Sequence, residues 1–209
     1  MKIGGFCEFS LSDFPGRISA VVFTQGCNFR CPFCHNGGLI PFQADPENMI
    51  DEEQILDFLK NRRGRLDGVV ISGGEPTLQK DLDEFLAKIK ELGFVTKLDT
   101  NGSRPDIIRQ LLKRSLLDYI AMDIKAPMDK YHLLAGRPVE PLTLIESIEL
   151  IARSGVAHQF RTTFVKALID DSDLQKIKAI IPEESPFTQQ KFIPENALDV
   201  SLREEKAVG

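Results

Sequence analysis

Apolar residues along the chain follow two alternating patterns. Short runs rich in β-branched residues, such as residues 18–24 and 68–72, are typical of buried strands. Longer stretches between them repeat apolar residues every three or four positions, which is typical of amphipathic helices. The predicted strands cover residues 18–24, 68–72, 94–100, 117–125, 158–165 and 187–193, and the predicted helices cover residues 51–64, 78–92, 104–114, 142–154 and 171–181.

This alternation of strands and helices predicts parallel strands joined by right-handed helical crossovers. A doubly wound sheet and an incomplete barrel both have this pattern. Eight full units need about 250 residues, whereas the chain has 209. We therefore predict one α/β domain over residues 1–209, built as a partial (β/α)6 TIM-like barrel with its core over about residues 17–194. The polar C-terminal tail over about residues 198–209 is expected to be an exposed tail or a terminal helix.

Composition and charge exclude several classes of protein. Hydrophobic residues make up 42% of the chain and charged residues 27%, which excludes disordered, collagen-like and coiled-coil proteins. No apolar run approaches the ~20 residues that cross a bilayer, and the first residues lack the apolar segment of a secretory signal. The net charge of −5 gives no general phosphate-binding footprint. We expect a cytoplasmic protein that binds neither membranes nor nucleic acid.

The cysteines are the most specific feature of the chain. Three of the four, Cys27, Cys31 and Cys34, fall within eight residues. Without a secretory signal, such a group indicates metal or redox chemistry and not disulfides. Three thiolates suit an iron–sulfur cluster, which normally takes four, with one iron left open for a ligand. We interpret the separate Cys7 as a small buried hydrophobe.

Three alternatives for the cysteine loop stay open on spacing alone. Zinc could be held by the three thiolates together with His35, although adjacent side chains such as those of Cys34 and His35 diverge. Residues 31–35 also match the C-x-x-C-H pattern of c-type haem attachment, which normally requires export. A thioredoxin-like redox pair of Cys31 and Cys34 would leave Cys27 unexplained.

Polar residues gather where the predicted strands end. The carboxyl ends of parallel strands meet at one rim, and α/β folds bind ligands there. We therefore expect one site at this rim, below the cysteine loop that follows the first strand. The other groups are Gly73, Gly74 and Glu75 after the second strand, Asp99 and Thr100 at the end of the third, Asp123 and Lys125 in the fourth, and Arg161 in the fifth.

The loop Cys27-x3-Cys31-x-Phe33-Cys34, with an aromatic residue before its last cysteine, resembles the signature of the radical S-adenosylmethionine (SAM) superfamily. The sequence Gly-Gly-Glu-Pro at residues 73–76 is similar to that superfamily's second motif. The resemblance extends over about residues 6–196 and implies the partial barrel of that superfamily.

Two shorter sequences point to a narrower group. Ser-Asp-Phe-Pro-Gly at residues 12–16 and Cys-His-Asn at residues 34–36 are similar to glycyl-radical-enzyme activases. Within these, the chain most closely resembles the short, single-cluster type called anaerobic ribonucleoside-triphosphate reductase activating protein.

The resemblance implies an oxidoreductase that holds a [4Fe-4S] cluster on Cys27, Cys31 and Cys34 and binds SAM at the open iron. Reductive cleavage of SAM would yield a 5′-deoxyadenosyl radical, which takes hydrogen from a glycine of a partner glycyl-radical enzyme. A flavodoxin or a ferredoxin-type protein would supply the electron. An enzyme acting on a small molecule, similar to 7-carboxy-7-deazaguanine synthase, and a zinc-stabilised binding module are the alternatives.

The resemblance also implies cofactor-binding residues. The main chain of Phe33 would meet adenine, and Gly73 and Gly74 would let the backbone approach the methionyl amino group. Asp123 would bind the ribose and Lys125 the methionyl carboxylate; their spacing of two places both side chains on one face of a strand. The remaining predicted residues are His35, Glu75 and Arg161, together with Asp99 and Thr100, which can join Asp123 in a monovalent-cation site.

Structural roles compete with several of these assignments. Asp123 and Lys125 could form an ion pair with no ligand, and Arg161 could pair with a nearby carboxylate. Glu75 could simply begin a helix, where a carboxylate is favoured.

Overall fold

The computed structural model describes residues 1–204 and consists of one seven-stranded sheet with helices packed against it. The strands lie side by side in chain order, and β1 pairs antiparallel with β2 while β2 to β7 are parallel. The six parallel strands confirm the predicted α/β fold. The strands are β1 (Ile3–Ser10), β2 (Ser19–Thr24), β3 (Gly68–Gly73), β4 (Val95–Thr100), β5 (Tyr119–Asp123), β6 (Ala157–Phe164) and β7 (Phe187–Lys191).

The helices connect successive parallel strands, as the alternating pattern predicts. Most begin and end within a few residues of the predicted bounds. Helix α4 is short and was not expected from the sequence. The helices are α1 (Glu52–Lys60), α2 (Leu82–Glu91), α3 (Pro105–Lys113), α4 (Tyr131–Ala135), α5 (Pro141–Ala152) and α6 (Asp171–Ala179).

Strand β1 is absent from the sequence prediction. Its sequence, IGGFCEFS, contains two glycines and lacks a clear alternation of apolar and polar residues. It forms because it pairs along β2, with Phe6 opposite Val22 and Cys7 opposite Val21. The side chain of Ile3 is fully buried, so the core begins well before the predicted limit at residue 17.

Two other expectations differ from the structure in detail. The helix predicted from residue 78 starts at Leu82, and a separate short 3-10 helix, Pro76–Leu78, with Glu75 as its N-cap, precedes it. The C-terminal segment contains a 3-10 helix, Val200–Glu204, and is not wholly exposed, since Leu202 packs into the core and the main-chain N–H of Asp199 donates to the Pro32 carbonyl at 2.8 Å. Residues 205–209 of that tail lie outside the described residues.

The sheet has a different environment on each face. Residues such as Val22, Ile71 and Leu98 pack under the helices in the main core. On the other face, toward the amino ends of the parallel strands, a smaller apolar cluster is centred on Phe14, Val21 and Val70. This second cluster, named the floor cluster below, fills the lower part of the concave face and leaves the upper part for polar residues. In residues 1–204 no helix is long and apolar enough to cross a bilayer.

Candidate cofactor site

A cavity of about 360 Å³ opens at the carboxyl ends of the parallel strands. Each strand from β2 to β7 places at least one residue in or beside it, as expected for ligand sites in parallel α/β folds. Every site residue that the sequence predicts lines this cavity: Cys27, Cys31, Phe33, Cys34, His35, Gly73, Gly74, Glu75, Asp99, Thr100, Asp123, Lys125 and Arg161.

The cysteine loop leaves the end of β2 and is held by main-chain hydrogen bonds. The Cys27 N–H donates to the Ile40 carbonyl at 3.0 Å, and the Cys34 N–H donates to the Cys31 carbonyl at 3.0 Å. Inside the loop, the Arg30 guanidinium donates to the carbonyls of Cys27 and Phe29, both at 2.7 Å. The loop is therefore shaped by its own hydrogen bonds, and its three thiols are free.

The thiols lie in an environment poor in water. Burial raises the pKa of Cys27 to about 11 and that of Cys31 to about 12, although the nearby Lys125 ammonium acts in the opposite direction. The Phe29 N–H also donates to Cys27 Sγ at 3.3 Å, a bond that favours a thiolate. Because metal binding requires thiolates, loading a cluster here would release protons. Three thiols on one cavity wall, facing a cation, fit an iron–sulfur cluster.

The zinc alternative is not favoured by this arrangement. A zinc site would bring the three sulfurs and a His35 nitrogen within about 2.0–2.3 Å of one ion. The His35 ring instead stacks on Phe192, with ring centroids 5.7 Å apart.

Cys7 does not line the cavity. Its thiol is half-buried beside the floor cluster and donates to the Phe9 carbonyl at 3.2 Å. It is thus less buried than the sequence interpretation supposed, and it lies apart from the three-cysteine loop.

Gly73 and Gly74 join the end of β3 to the cysteine loop. The Gly74 N–H donates to the Thr24 carbonyl and the Glu75 N–H donates to the Gly26 carbonyl, both at 2.8 Å. A Cβ on Gly74 would lie 2.2 Å from the Gly26 carbonyl oxygen, which is a main-chain atom that cannot easily move. Gly73 has a φ of 108°, in the region that favours glycine. These two positions therefore need glycine for packing, whatever ligand the cavity takes.

Both oxygens of the Glu75 carboxylate accept hydrogen bonds from the protein. One oxygen accepts from the Thr77 N–H at 3.1 Å, the Thr77 hydroxyl at 2.5 Å and the Thr100 hydroxyl at 2.7 Å. The other accepts from the Asn101 N–H at 2.7 Å. Burial raises the pKa of Glu75, and these four donors oppose that rise. These contacts match the structural alternative for Glu75, in which its carboxylate caps a helix. They also link the end of β3 to the end of β4, because the Thr100 hydroxyl donates to Glu75.

Five charged side chains form a network of ion pairs at and below the base of the cavity: Asp99, Asp123, Lys125 and Arg161 line it, and the buried Lys97 lies behind Asp99. We call them the charge cluster. Arg161 bridges the two carboxylates, with Nε 2.8 Å from Asp123 Oδ1 and Nη2 3.5 Å from Asp99 Oδ2. Lys125 Nζ lies 3.1 Å from Asp123 Oδ2, and Lys97 Nζ forms an ion pair with Asp99 Oδ1. The predicted pairs of Asp123 with Lys125 and of Arg161 with a carboxylate are therefore both present.

The charge cluster has a surplus of positive charge. Burial alone would raise the pKa of Asp123, but Arg161 and Lys125 hold it well below its usual range. Asp123 and its neighbours likewise keep the pKa values of Lys125 and Arg161 above their usual ranges despite burial. Within the charge cluster three cations therefore face two carboxylates, while Asp13 and Glu75 add further carboxyl groups elsewhere on the cavity wall.

Sequence reasoning missed several residues of this region, among them Lys97 and Tyr131, which contact predicted site residues from outside the cavity lining. Lys97 precedes Asp99 by two positions on β4, so the spacing argument applied to Asp123 and Lys125 would also have found it. Tyr131 lies on α4, and its hydroxyl accepts from the Lys125 N–H at 3.2 Å. No local pattern in the sequence indicates this contact between Tyr131 and Lys125.

Comparison with known proteins gives a family and relatives. A protein-family model described as the Radical SAM superfamily matches residues 21–178. A protein of Methanocaldococcus jannaschii with the provisional name of glycyl-radical enzyme activating enzyme is 36% identical, over 96% of this chain and 84% of its own length. The pyruvate formate-lyase-activating enzyme of Clostridium pasteurianum is 29% identical, over 97% of this chain and 85% of its own length.

Solved structures with low sequence identity share the fold. SuiB of Streptococcus suis, solved with the precursor peptide SuiA, superimposes with a TM-score of 0.65 at 19% identity. The match covers 83% of this chain and 38% of the SuiB chain. At this identity the likeness concerns the fold alone.

Proposed function

Because the chain belongs to the radical SAM superfamily and is an enzyme of the glycyl-radical activase type, we propose that it cleaves SAM reductively and installs a glycyl radical on a partner enzyme. The observation that carries this proposal is the convergence of three thiols without disulfide partners, the glycine turn after β3 and the charge cluster on one cavity. We propose the cytoplasm as its location, where thiols stay reduced.

The cysteine loop would hold the cofactor. Cys27, Cys31 and Cys34 fit a [4Fe-4S] cluster, which when bound supplies the electron that cleaves SAM. The chain's own contribution is to seat the ligand and exclude water. The main chain of Phe33, whose side chain is buried in the core, would meet the adenine, and the main chain at Gly73 and Gly74 would approach the methionyl amino group.

The charge cluster would bind the other polar groups of SAM. The Lys125 ammonium suits the methionyl carboxylate, because it lines the cavity and can donate charge-assisted hydrogen bonds to it. The Asp123 carboxylate suits the ribose hydroxyls. Arg161 Nε lies 2.8 Å from Asp123 Oδ1 and holds that carboxylate in place. His35, stacked on Phe192, would stand beside the adenosine end of the cavity.

We propose a protein as the substrate and, more narrowly, an anaerobic ribonucleoside-triphosphate reductase. Strands β1 and β7 are the two edges of the sheet and do not pair with each other, so the concave face is open along one side. Ile193, Leu198 and Val200 are exposed apolar side chains on the segment that packs against the cysteine loop. A flavodoxin or ferredoxin-type protein would donate the electron.

The decisive experiment is radical transfer under anaerobic conditions. The reduced enzyme alone should cleave SAM slowly. Adding the reductase should produce a doublet glycyl signal in electron paramagnetic resonance, with equal amounts of 5′-deoxyadenosine and radical. The matched control is a reductase in which the radical-bearing glycine is replaced by alanine, which should give no doublet. Fast, repeated turnover triggered by a small metabolite, with no signal on any glycyl-radical enzyme, would favour the small-molecule alternative.

Loss of Lys125 or Asp123 should weaken SAM binding and leave the iron–sulfur cluster in place. Each substitution to alanine removes a charge-assisted contact, which costs ~1.5–3 kcal/mol, or about 10–150-fold in dissociation constant. Calorimetric titration of anaerobically reconstituted protein measures the change. Lys176→Ala is the control, because it removes an exposed lysine–aspartate pair with Asp129 away from the cavity. Unchanged affinity in both cavity variants would mean that this ion pair is purely structural.

A further inference from the structure

The monovalent cation that the sequence resemblance implies does not fit the residues that would hold it. Asp99 faces Lys97 with one carboxylate oxygen and Arg161 with the other. Both oxygens of Asp123 are also paired, with Arg161 and Lys125. Each carboxylate oxygen of the expected site thus already faces a cationic side chain.

The third expected ligand is also committed elsewhere. Thr100 donates its hydroxyl hydrogen to Glu75 at 2.7 Å, and its oxygen accepts from the Gly102 N–H at 3.1 Å. Ser72 in turn donates to Asp99 Oδ2 at 3.2 Å. A free cation would have to break several of these bonds to gain a ligand.

Lys97 is a member of the charge cluster to which the proposed function assigns no part in binding SAM. Its side chain is 1% exposed, a rare condition for lysine outside an ion pair. The ammonium lies between the floor cluster and Asp99, 6.0 Å from the centre of the Tyr119 ring. A charge buried this deeply is costly unless its contacts repay the loss of water.

We propose that the Lys97 ammonium takes the place of a free monovalent cation. It is a positioning residue: it fixes the Asp99 carboxylate, which orients the Arg161 guanidinium, which in turn orients Asp123 beside the ligand. An ammonium is a compact point charge comparable to a small hydrated cation. Because the chain supplies it, the site is complete without an ion from solution.

Removing Lys97 should create the cation dependence that the protein otherwise lacks. Methionine has a similar length but no charge, so Lys97→Met leaves Asp99 Oδ1 buried without its cation. The charge cluster then falls from one net positive charge to zero, and Arg161 is held less firmly. Sodium or potassium could enter the vacated space and restore part of the order.

The test compares SAM affinity in tetramethylammonium, sodium and potassium chloride at equal ionic strength. The wild-type dissociation constant should agree within about twofold in the three salts. Lys97→Met should bind about tenfold or more weakly in tetramethylammonium chloride, and sodium or potassium should recover most of the loss. Lys90→Met is the matched control, since it breaks a lysine–aspartate pair with Asp118 outside the cavity.

Thermal unfolding of the cluster-free protein gives a second measurement that does not depend on SAM. Sodium or potassium should raise the midpoint for Lys97→Met but not for the wild type or for Lys90→Met. A cluster-loaded wild type that binds SAM in none of the salts would contradict the proposed function, on which this inference rests, while the unfolding series would still test Lys97.

Two results would overturn the inference. The first is a wild-type affinity that rises about tenfold or more when sodium or potassium replaces tetramethylammonium. The second is a Lys97→Met variant that matches the wild type in affinity and in its response to salt. If Lys97→Met does not fold, the wild-type salt series decides alone.

Discussion

Replacing Cys27, Cys31 or Cys34 with alanine should abolish cluster binding and SAM cleavage, whereas Cys7→Ala should retain both. Three thiolates are already one fewer than an iron–sulfur cluster normally takes, so no spare ligand can compensate for a loss. Cys7 lies outside the cavity, and its thiol bonds to the Phe9 carbonyl. All four variants remove one thiol, and only the three loop variants remove one that lines the cavity.

Iron content and visible absorbance after anaerobic reconstitution measure the outcome. Each of the three loop variants should be colourless, and the Cys7 variant should match the wild type. Far-ultraviolet circular dichroism is the control for folding, because the loop keeps its main-chain hydrogen bonds without the thiols. A colourless Cys7→Ala variant, or a full cluster in any loop variant, would contradict the assignment of ligands. Stoichiometric zinc in the wild type in place of iron would restore the zinc alternative.

The parallel sheet and the placement of the site follow from patterns that are local in sequence. Strands such as β3 are short β-branched runs, and the helices repeat apolar residues at helical spacing, so both can be recognised without tertiary information. The geometry of parallel sheets then brings Cys27, Asp99 and Asp123 together, because carboxyl ends share one rim. This reasoning predicted the lining of the cavity, but the roles of the lining residues remain proposals.

The features that the sequence did not reveal depend on contacts distant in the chain. Strand β1 has no periodic pattern and exists because β2 offers it an edge. Glu75 could be either ligand or cap in the sequence, and only its four donors from Thr77, Thr100 and Asn101 show that its oxygens are occupied. Lys97 is the exception, because its partner Asp99 lies only two positions away on β4 and the same period-two spacing that pairs Asp123 with Lys125 indicates it.

Gly74→Ala should destabilise the protein and displace the cysteine loop. The new Cβ would lie 2.2 Å from the Gly26 carbonyl oxygen and 2.7 Å from its carbon, and both atoms belong to the main chain. Gly26 leads directly into Cys27, so relief of the clash must shift the segment that carries the first ligand. Forcing extra volume into a packed site costs about 1–3 kcal/mol, and we expect the upper end of that range because no flexible side chain can yield.

The expected loss corresponds to a melting temperature lower by roughly 5–10 °C for a protein of this size. Gly38→Ala is the matched control, because its Cβ would meet nothing within 4 Å and its stability should change by no more than about 0.5 kcal/mol. Thermal unfolding of the cluster-free proteins measures the packing effect alone. Iron content after reconstitution then shows whether the loop has moved, and it should fall in Gly74→Ala but not in Gly38→Ala. If Gly74→Ala has wild-type stability and binds a full cluster, the cysteine loop adapts freely to the added Cβ. The close contact between Gly74 and Gly26 would then not be what positions Cys27.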